Sequence, residues 1–370
     1  YLQSEDTNKG KIFAVLGAGL VGALTYTFSD SFWFSAVEGE VYAMSSFFTA
    51  VTFWCILKWE QVADSSSSSK WLVLIAYLIG LSIGVHLLSL LTIPAMGMIY
   101  YFKNNKYTHK GALIAFSISS AILLLIQGIF IPKTASIMGA FDVFFVNTFG
   151  LPFNTGIAFY ILLLAAVIIW GLKYTKKHNL PVWNTAILGF MMLLIGYSSY
   201  AMVLIRSNAN TPINMSAPDD PLKLSDYLAR KQYGEVAPLV FGRHYVDQPT
   251  GIKTESTYRK NDNLDKYDEL TTSQYEWSND KFFSRMYSRQ SQDHVNGYQS
   301  WAPHDPANIS FSDNLKFFFK YQIGWSYMRY FMWNFAGRQN DIANMDGNEI
   351  YGNWESGIGY SDEGLPSHLK

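Results

Sequence analysis

The sequence predicts a mainly α, polytopic membrane protein, with a helical bundle followed by a mixed α/β segment on the outer side. Three observations carry that prediction. Of 370 residues, 49% are hydrophobic and 16% aromatic, while 15% are charged, against roughly 25% charged in an average soluble domain. Long apolar runs fill residues 1–205 and stop there. Charge divides the same way: residues 1–205 hold 11 Lys/Arg and 8 Asp/Glu, and residues 206–370 hold 17 and 21. The division predicts a transmembrane domain over 1–205 and an outer-side segment over 206–370.

Composition also excludes. A net charge of −1 gives no electrostatic footing for nucleic acid. A single cysteine, Cys55, forms no internal disulfide framework. Tyr1 is not an initiator methionine, and the closing "NWESGIGYSDEGLPSHLK" has no stopping element, so the sequence reads as an excerpt of a longer polypeptide.

A membrane helix needs about 20 apolar residues, roughly 17 at the least. The runs 12–28, 41–57, 111–131, 155–172 and 182–205 qualify. The stretch 71–102 is long for one span and short for two. Lysines decide: Lys58 and Lys70 precede it, and Lys103, Lys106 and Lys110 follow it. If basic loops stay cytoplasmic, the chain enters and returns within 71–102 as a hairpin, with Gly80 and Gly84 available for the turn. About seven crossings result, and ten of the eleven basic residues before 206 lie inside, Lys133 being the exception. A single tilted helix over 71–102 is the rival reading.

This topology collects polar residues at the outer face. Glu38 and Glu40 lie in the first outer loop, beside Trp33. His86 lies at the hairpin tip. Asp142, Asn147 and Asn154 fall in an outer loop over 132–154, and Arg206, Asn208 and Asn210 close the last span. Each also has a plainer reading. Either glutamate could be a first-turn acid of the helix at 41–57, favoured by its dipole. His86 could be a packing histidine, and Arg206 an interfacial anchor. "GAGLVG" at 17–22 mimics a dinucleotide fingerprint, but it sits in an apolar run with no strand before it, and small residues there suit close helix packing. No Walker loop, HExxH, CxxC pair or GxSxG occurs.

Beyond 206, "PLKLSDYLARKQYG" (221–234) predicts a short amphipathic helix and "APLVFGRHYV" (237–246) a strand. Residues 247–280 lack apolar periodicity and read as loop. "NLKFFFKYQIGWSYMRYFMWNF" (314–335) packs ten aromatic residues into 22, which predicts a helix at headgroup level or a further membrane segment. Arg329 and Arg338 near this belt suit a phosphate or pair with the abundant aspartates.

"FSDSFWFSAVEGEVYAMSSFFTA", "GLSIGVHLL", "FVNTFGLPFN", "IRSNANTPIN" and "YFMWNFAGRQND", in that order along the chain, resemble a family of large bacterial inner-membrane proteins. That family is related to the eukaryotic transmembrane-protein-260-type O-mannosyltransferases. The resemblance implies a glycosyltransferase C fold and an enzyme that takes a sugar, such as mannose, from a polyprenyl-phosphate carrier. The sugar would go to a protein or glycan acceptor at the periplasmic side of the inner membrane, with membrane lipid around the bundle. Enzymes of this fold use an acid in their first outer loop as general base, and the resemblance places that loop outside this sequence. Glu38 and Glu40 match the second outer acidic position, which in several relatives helps bind a metal or the lipid phosphate. The chemistry needs a base and stabilisation of the leaving phosphate. Glu38 and Glu40 could hold magnesium or manganese through oxygen. His86, Arg206, Asn208, Asn210, Arg329 and Arg338 could bind the lipid phosphate or substrate.

Two other classes compete. A transporter or flippase of a lipid-linked or acidic solute would use intramembrane polar groups, but needs charges toward both sides and broken helices. A non-catalytic subunit of a surface-protein assembly would dock through 206–370.

Overall fold

The computed structural model describes residues 8–65, 67–209, 211–234, 237–338, 352–355 and 362. It resolves into two compact units, one of Val41–Gly234 with Ser256–Thr272, the other of Tyr1–Glu40, Glu235–Glu255 and Ser273–Lys370.

The helices run α1 Lys9–Thr27, α2 Asp30–Val37, α3 Tyr42–Val62, α4 Ser68–Ile83, α5 Thr92–Asn104, α6 His109–Leu125, α7 Ile131–Phe149, α8 Thr155–Lys177, α9 Pro181–Tyr197, α10 Ala201–Asn208 and α11 Pro221–Leu228. Helix α1 starts where Asn8 Oδ1 accepts the Lys11 N–H at 2.9 Å, satisfying one of the orphan first-turn donors. It buries no residue. Gly17, Gly19 and Gly22 have open space where a Cβ would stand, so among the described residues no helix packs closely on "GAGLVG".

Seven crossings are not supported. By length and composition four helical runs could cross a bilayer: Lys9–Thr27, His109–Phe149, Thr155–Lys177 and Pro181–Asn208. A fifth is added if the broken pair Asp30–Val37 and Tyr42–Val62 counts as one. Two helices with a break between them replace the rival single tilted helix over 71–102, but neither is long enough to count as a span. The chain does break after Gly84, passing His86 into a 3₁₀ turn at Leu87–Leu91. Yet α4 has 16 residues and α5 13, or about 24 and 20 Å, against a hydrocarbon core of about 30 Å.

The predicted loop at 132–154 is also corrected, because α7 occupies most of it. Helices α6 and α7 run on as 41 residues, joined by a π-wound turn at Ile126–Phe130. Pro132 lacks the N–H that would extend the regular ladder, and a π turn is one way a helix absorbs that loss. At about 60 Å this rod is twice the thickness of a hydrocarbon core. Lys133, Asp142 and Asn147 lie past the proline.

The core of this unit joins Cys55, Ile56 and Trp59 of α3, Ile75, Ile79 and Ile83 of α4, and Ile131 and Tyr197. Cys55 is buried there, as packing. Helices α4 and α9 cross closely at glycines. A Cβ on Gly80 would strike the Leu193 carbonyl, and one on Gly196 would stand 2.5 Å from Leu81 N and Tyr77 O. Small residues let backbones approach in this way. Gly80 therefore serves a crossing and not the predicted turn.

The second unit contains α1, α2 and the strands β1 Phe241–Gly242 and β4 Lys281–Phe282, paired antiparallel. The strand predicted over 237–246 is thus two residues long. Between them the chain forms β2 Gly251–Asn261 and β3 Lys266–Glu276, a long antiparallel hairpin, where a loop was expected. Its turn half, 256–272, belongs to the helical unit. Helices α12 Gln292–Trp301, α13 Phe311–Phe317 and α14 Met328–Met332 follow, with α13 and α14 joined by a π-wound stretch Phe318–Tyr327. Short strands β5 Gly337–Arg338 and β6 Trp354–Glu355 pair at the end. The core here is Tyr245, Met286, Tyr298, Ala302 and Phe317. Buried Asn314 pins it: Oδ1 accepts the Arg285 N–H at 2.6 Å, and Nδ2 reaches His244 Nε2 at 2.9 Å. The aromatic segment 314–335 is helical as predicted, but it is not among the helices apolar enough to cross a bilayer.

Candidate functional site

The strongest polar constellation lies in the helical unit, around the half of the hairpin that belongs to it. Asp142 of α7 is fully buried. Its carboxylate accepts the N–H groups of Asn154 at 3.0 Å and Gly156 at 2.9 Å, and the Tyr267 hydroxyl at 2.8 Å. Asn154 takes a left-handed φ of 71° as the N-cap of α8, a conformation asparagine tolerates better than most residues. Gly156 is required because a Cβ there would strike α7 at Phe141 and Asp142. One turn along α7, Asn147 holds the Tyr267 backbone at both ends, donating to its carbonyl at 2.8 Å and accepting its N–H at 2.9 Å. Burial and the neighbouring Asp142 charge push the Tyr267 phenol far above its ordinary pKa, so it stays a proton donor.

Beside this anchor opens a cleft of about 500 Å³ lined by Asn154, Asn208, Asp219, Asp220, Lys260 and Tyr267, among others. Asp220 caps α11, its Oδ1 accepting Leu222 N–H at 2.8 Å and Lys223 N–H at 2.9 Å. Burial nevertheless raises its carboxyl above the usual range, against those hydrogen bonds and the Lys223 charge. Asp219 binds Lys223 Nζ at 2.7 Å, Asn208 Nδ2 donates to the Asp219 carbonyl at 2.8 Å, and Lys260 lies 4.6 Å from the Phe153 ring centroid. A carboxyl of raised pKa, a second carboxylate, a lysine and two amides in one cleft can hold a hydroxylated ligand and exchange a proton with it. A second cavity of about 820 Å³, lined by Lys133, Asn147, Lys231 and Tyr258 among others, borders α7 and α11.

The expected site residues are scattered by comparison. Glu38 ends α2, its N–H donating to Phe34 O at 3.1 Å. Glu40 precedes the Val41 N-cap of α3. Both side chains are exposed and make no ion pair among the described residues. Neither lies within the first turn of α3, so the helix-start reading does not describe them. His86 is half-buried, caps the 3₁₀ turn through Nδ1 at 3.2 Å from Leu88 N, and packs on the Tyr42 ring at 5.4 Å. Burial lowers its pKa, and the Arg230 charge lowers it further. Arg206 is exposed on α10. Asn208 reaches the cleft, whereas Asn210 lies outside the described residues.

Arg329 is buried, and its guanidinium lies 4.8 to 5.3 Å from the rings of Tyr330, Trp333 and Trp325. It pairs with no aspartate among the described residues. Arg338 lies in β5. Among the described residues no group of three His, Cys, Asp or Glu side chains is arranged to hold a metal. Glu38 and Glu40 are exposed carboxylates and form no part of such a group.

Asp142, Asn147, Asn154 and Asn208 are polar residues that the sequence itself singles out, and the structure gathers them around Tyr267 and its cleft. Sequence reasoning missed Asp219, Asp220, Lys260 and Tyr267. The available signal was "APDDP", an Asp-Asp before proline that reads as a helix cap with Pro at its first position.

Comparison with known proteins adds two matches. Residues 1–109 match the model of the Protein O-mannosyl-transferase TMEM260 N-terminal domain. The match supports relatedness to that family and covers Glu38, Glu40 and His86. Residues 234–319 match a family of unknown function, DUF8416. No curated protein and no solved structure matches the chain.

Proposed function

We propose that the chain belongs to a membrane glycosyltransferase that moves a sugar, mannose in the first instance, from a polyprenyl-phosphate carrier to a protein or glycan acceptor. The observation that carries this reading is the match of residues 1–109 to the O-mannosyltransferase N-terminal domain, on a chain with several helices able to span a bilayer. We place the reaction at the periplasmic face of a bacterial inner membrane, where a lipid-linked donor replaces nucleotide sugars. Glu38 and Glu40, in the matched segment, would hold magnesium or manganese, which would supply positive charge to stabilise a leaving phosphate. We assign lipid-phosphate or substrate contacts to His86, Arg206, Asn208 and Asn210 of the helical unit and, separately, to Arg329 and Arg338 of the other unit. The cleft of Asp219, Asp220 and Lys260 binds a hydroxylated substrate group.

The test is transfer by full-length protein in proteoliposomes, given radiolabelled polyprenyl-phosphate mannose and a periplasmic protein extract. Label is expected to move from the lipid to the protein or glycan fraction. Glu38→Gln and Glu40→Gln should each lower the rate about tenfold or more with unchanged thermal stability. Absence of transfer from any polyprenyl-linked sugar overturns the function. Full activity in both single variants and the double variant removes the two carboxylates from it.

A further inference from the structure

The second unit holds a cavity that the transferase reading does not use. It has a volume of about 210 Å³, and its lining combines Tyr298, Trp301, Phe317 and Tyr321 with Arg285, Asp293, His294 and Gln322. The aromatic part is rigid. Phe317 stacks on Tyr321 at 5.0 Å, Trp301 tilts against Tyr321 at 5.4 Å, and Tyr298 meets Phe317 edge-on at 5.0 Å. These rings continue into the unit's core through Tyr298 and Phe317, so their positions are fixed by packing.

The polar part is of the opposite kind. Asp293 is exposed, and Tyr321 and Gln322 are half-buried. None of the three side chains makes a hydrogen bond or ion pair among the described residues. His294 is oriented by Ser288 Oγ, 2.8 Å from Nδ1, which leaves Nε2 as its remaining polar atom. Arg285 is oriented by its donation to the Pro238 carbonyl at 2.6 Å. The cavity thus offers a carboxylate acceptor, a carboxamide that donates and accepts, a phenol and an imidazole nitrogen, beside a fixed set of aromatic rings.

Ligand classes separate on this chemistry. An apolar side chain would bury Asp293, Gln322 and Tyr321 away from water with nothing to bond, which is costly. A cation meets Arg285, and an anion meets Asp293. A neutral ring with C–H faces for the aromatic groups and a rim of hydroxyls, each both donor and acceptor, satisfies both parts. We propose that this cavity binds one neutral sugar residue of a glycan. Most of the lining falls in the segment 234–319 that matches DUF8416, with Tyr321 and Gln322 just beyond it, and the assignment stands on the cavity's own geometry, independent of sugar transfer.

Calorimetric titration of the full-length protein in detergent tests it, with methyl α-mannoside, methyl β-glucoside and N-acetylglucosamine as probes and uridine and N-acetyltyrosine amide as controls. At least one sugar should bind saturably with a Kd of about 1 mM, ordinary for a ligand of about a dozen heavy atoms. Trp301→Ala should abolish binding. Because Trp301 also packs, Asp293→Asn and Gln322→Ala decide the matter: each should weaken binding about fivefold or more with an unchanged melting temperature. Glu38→Gln should bind the sugar normally even where transfer is lost, which separates this site from the transferase reading. No saturable sugar binding up to about 20 mM, binding of the controls alone, or sugar binding indifferent to both Asp293→Asn and Gln322→Ala overturns the proposal.

Discussion

Tyr267 donates its phenol hydrogen to Asp142 across 2.8 Å, joining residues 125 positions apart. The bond is made by a fully buried carboxylate whose other partners are two backbone N–H groups. Removing the phenol leaves one lone pair of a buried anion without a donor. Tyr267→Phe should destabilise the helical unit by about 1.5–3 kcal/mol, read as a fall in the thermal midpoint in detergent. In a double-mutant cycle, Asp142→Asn with Tyr267→Phe should cost less than the sum of the single changes. Strict additivity would show that the bond contributes nothing.

The α4–α9 crossing makes a second prediction. Gly196→Val places a branched side chain where even one Cβ stands 2.5 Å from the facing backbone. The helices must part, at about 1–3 kcal/mol or more. The same change at Gly17, which faces open space, should be nearly silent, and thermal unfolding of the two variants side by side checks the contrast.

His244 gives the aromatic unit a dependence on pH. It is buried, and desolvation holds its pKa below the ordinary value, with the Lys281 and His304 charges acting the same way and those of Asp247 and Asp280 opposing. Its Nε2 contact with Asn314 Nδ2 requires the neutral ring. Below about pH 6.5 the unfolded chain takes up a proton that the folded one resists, so stability is full above that pH and falls as pH drops toward the lowered folded value. Denaturant midpoints measured between pH 8 and pH 5 should show this slope, and His244→Gln should flatten it.

Asp313 acts at lower pH. Hydrogen bonds from Ser310, and with them Lys316, hold its carboxyl at about 2. Ser310 and Asp313 close a reciprocal capping box on α13. The stabilisation is present above the unfolded value near 3.9 and is lost as pH falls toward 2. Ser310→Ala should cost about 1 kcal/mol at neutral pH and raise the Asp313 pKa toward its unperturbed value, which carboxyl NMR titration follows.

Metal removal addresses Glu38 and Glu40. EDTA should suppress sugar transfer in proteoliposomes, and added magnesium or manganese should restore it. Transfer that is indifferent to EDTA would leave the two carboxylates to act on the substrate directly.

Much of the helical half was legible because apolar runs of about 20 residues have few other uses. What failed there failed for reasons of length and composition. Residues 71–102 are apolar enough to read as spans, yet α4 and α5 are each too short to cross. Residues 132–149 read as loop because Pro132, Asp142 and Asn147 interrupt the run, although a helix tolerates a proline that follows a π turn. The hairpin β2–β3 was invisible because both its faces are largely exposed, so the period-two signal that marks a strand never formed. With the hairpin went Lys260 and Tyr267, and with them the fact that the scattered polar residues of α7, α8 and α10 share one neighbourhood.

That hairpin has a further consequence, in time rather than in space. A two-stranded ribbon is marginal by itself in water, and this one is tied down at Tyr267 by a partner 120 residues earlier in the chain. Helices α7 and α8 must already be in place before the ribbon has anything to hold. During synthesis it is therefore among the last parts of the helical unit to settle, and the cleft beside Asp220 is completed only then. Whatever that cleft binds meets a finished site only on chains translated past the hairpin.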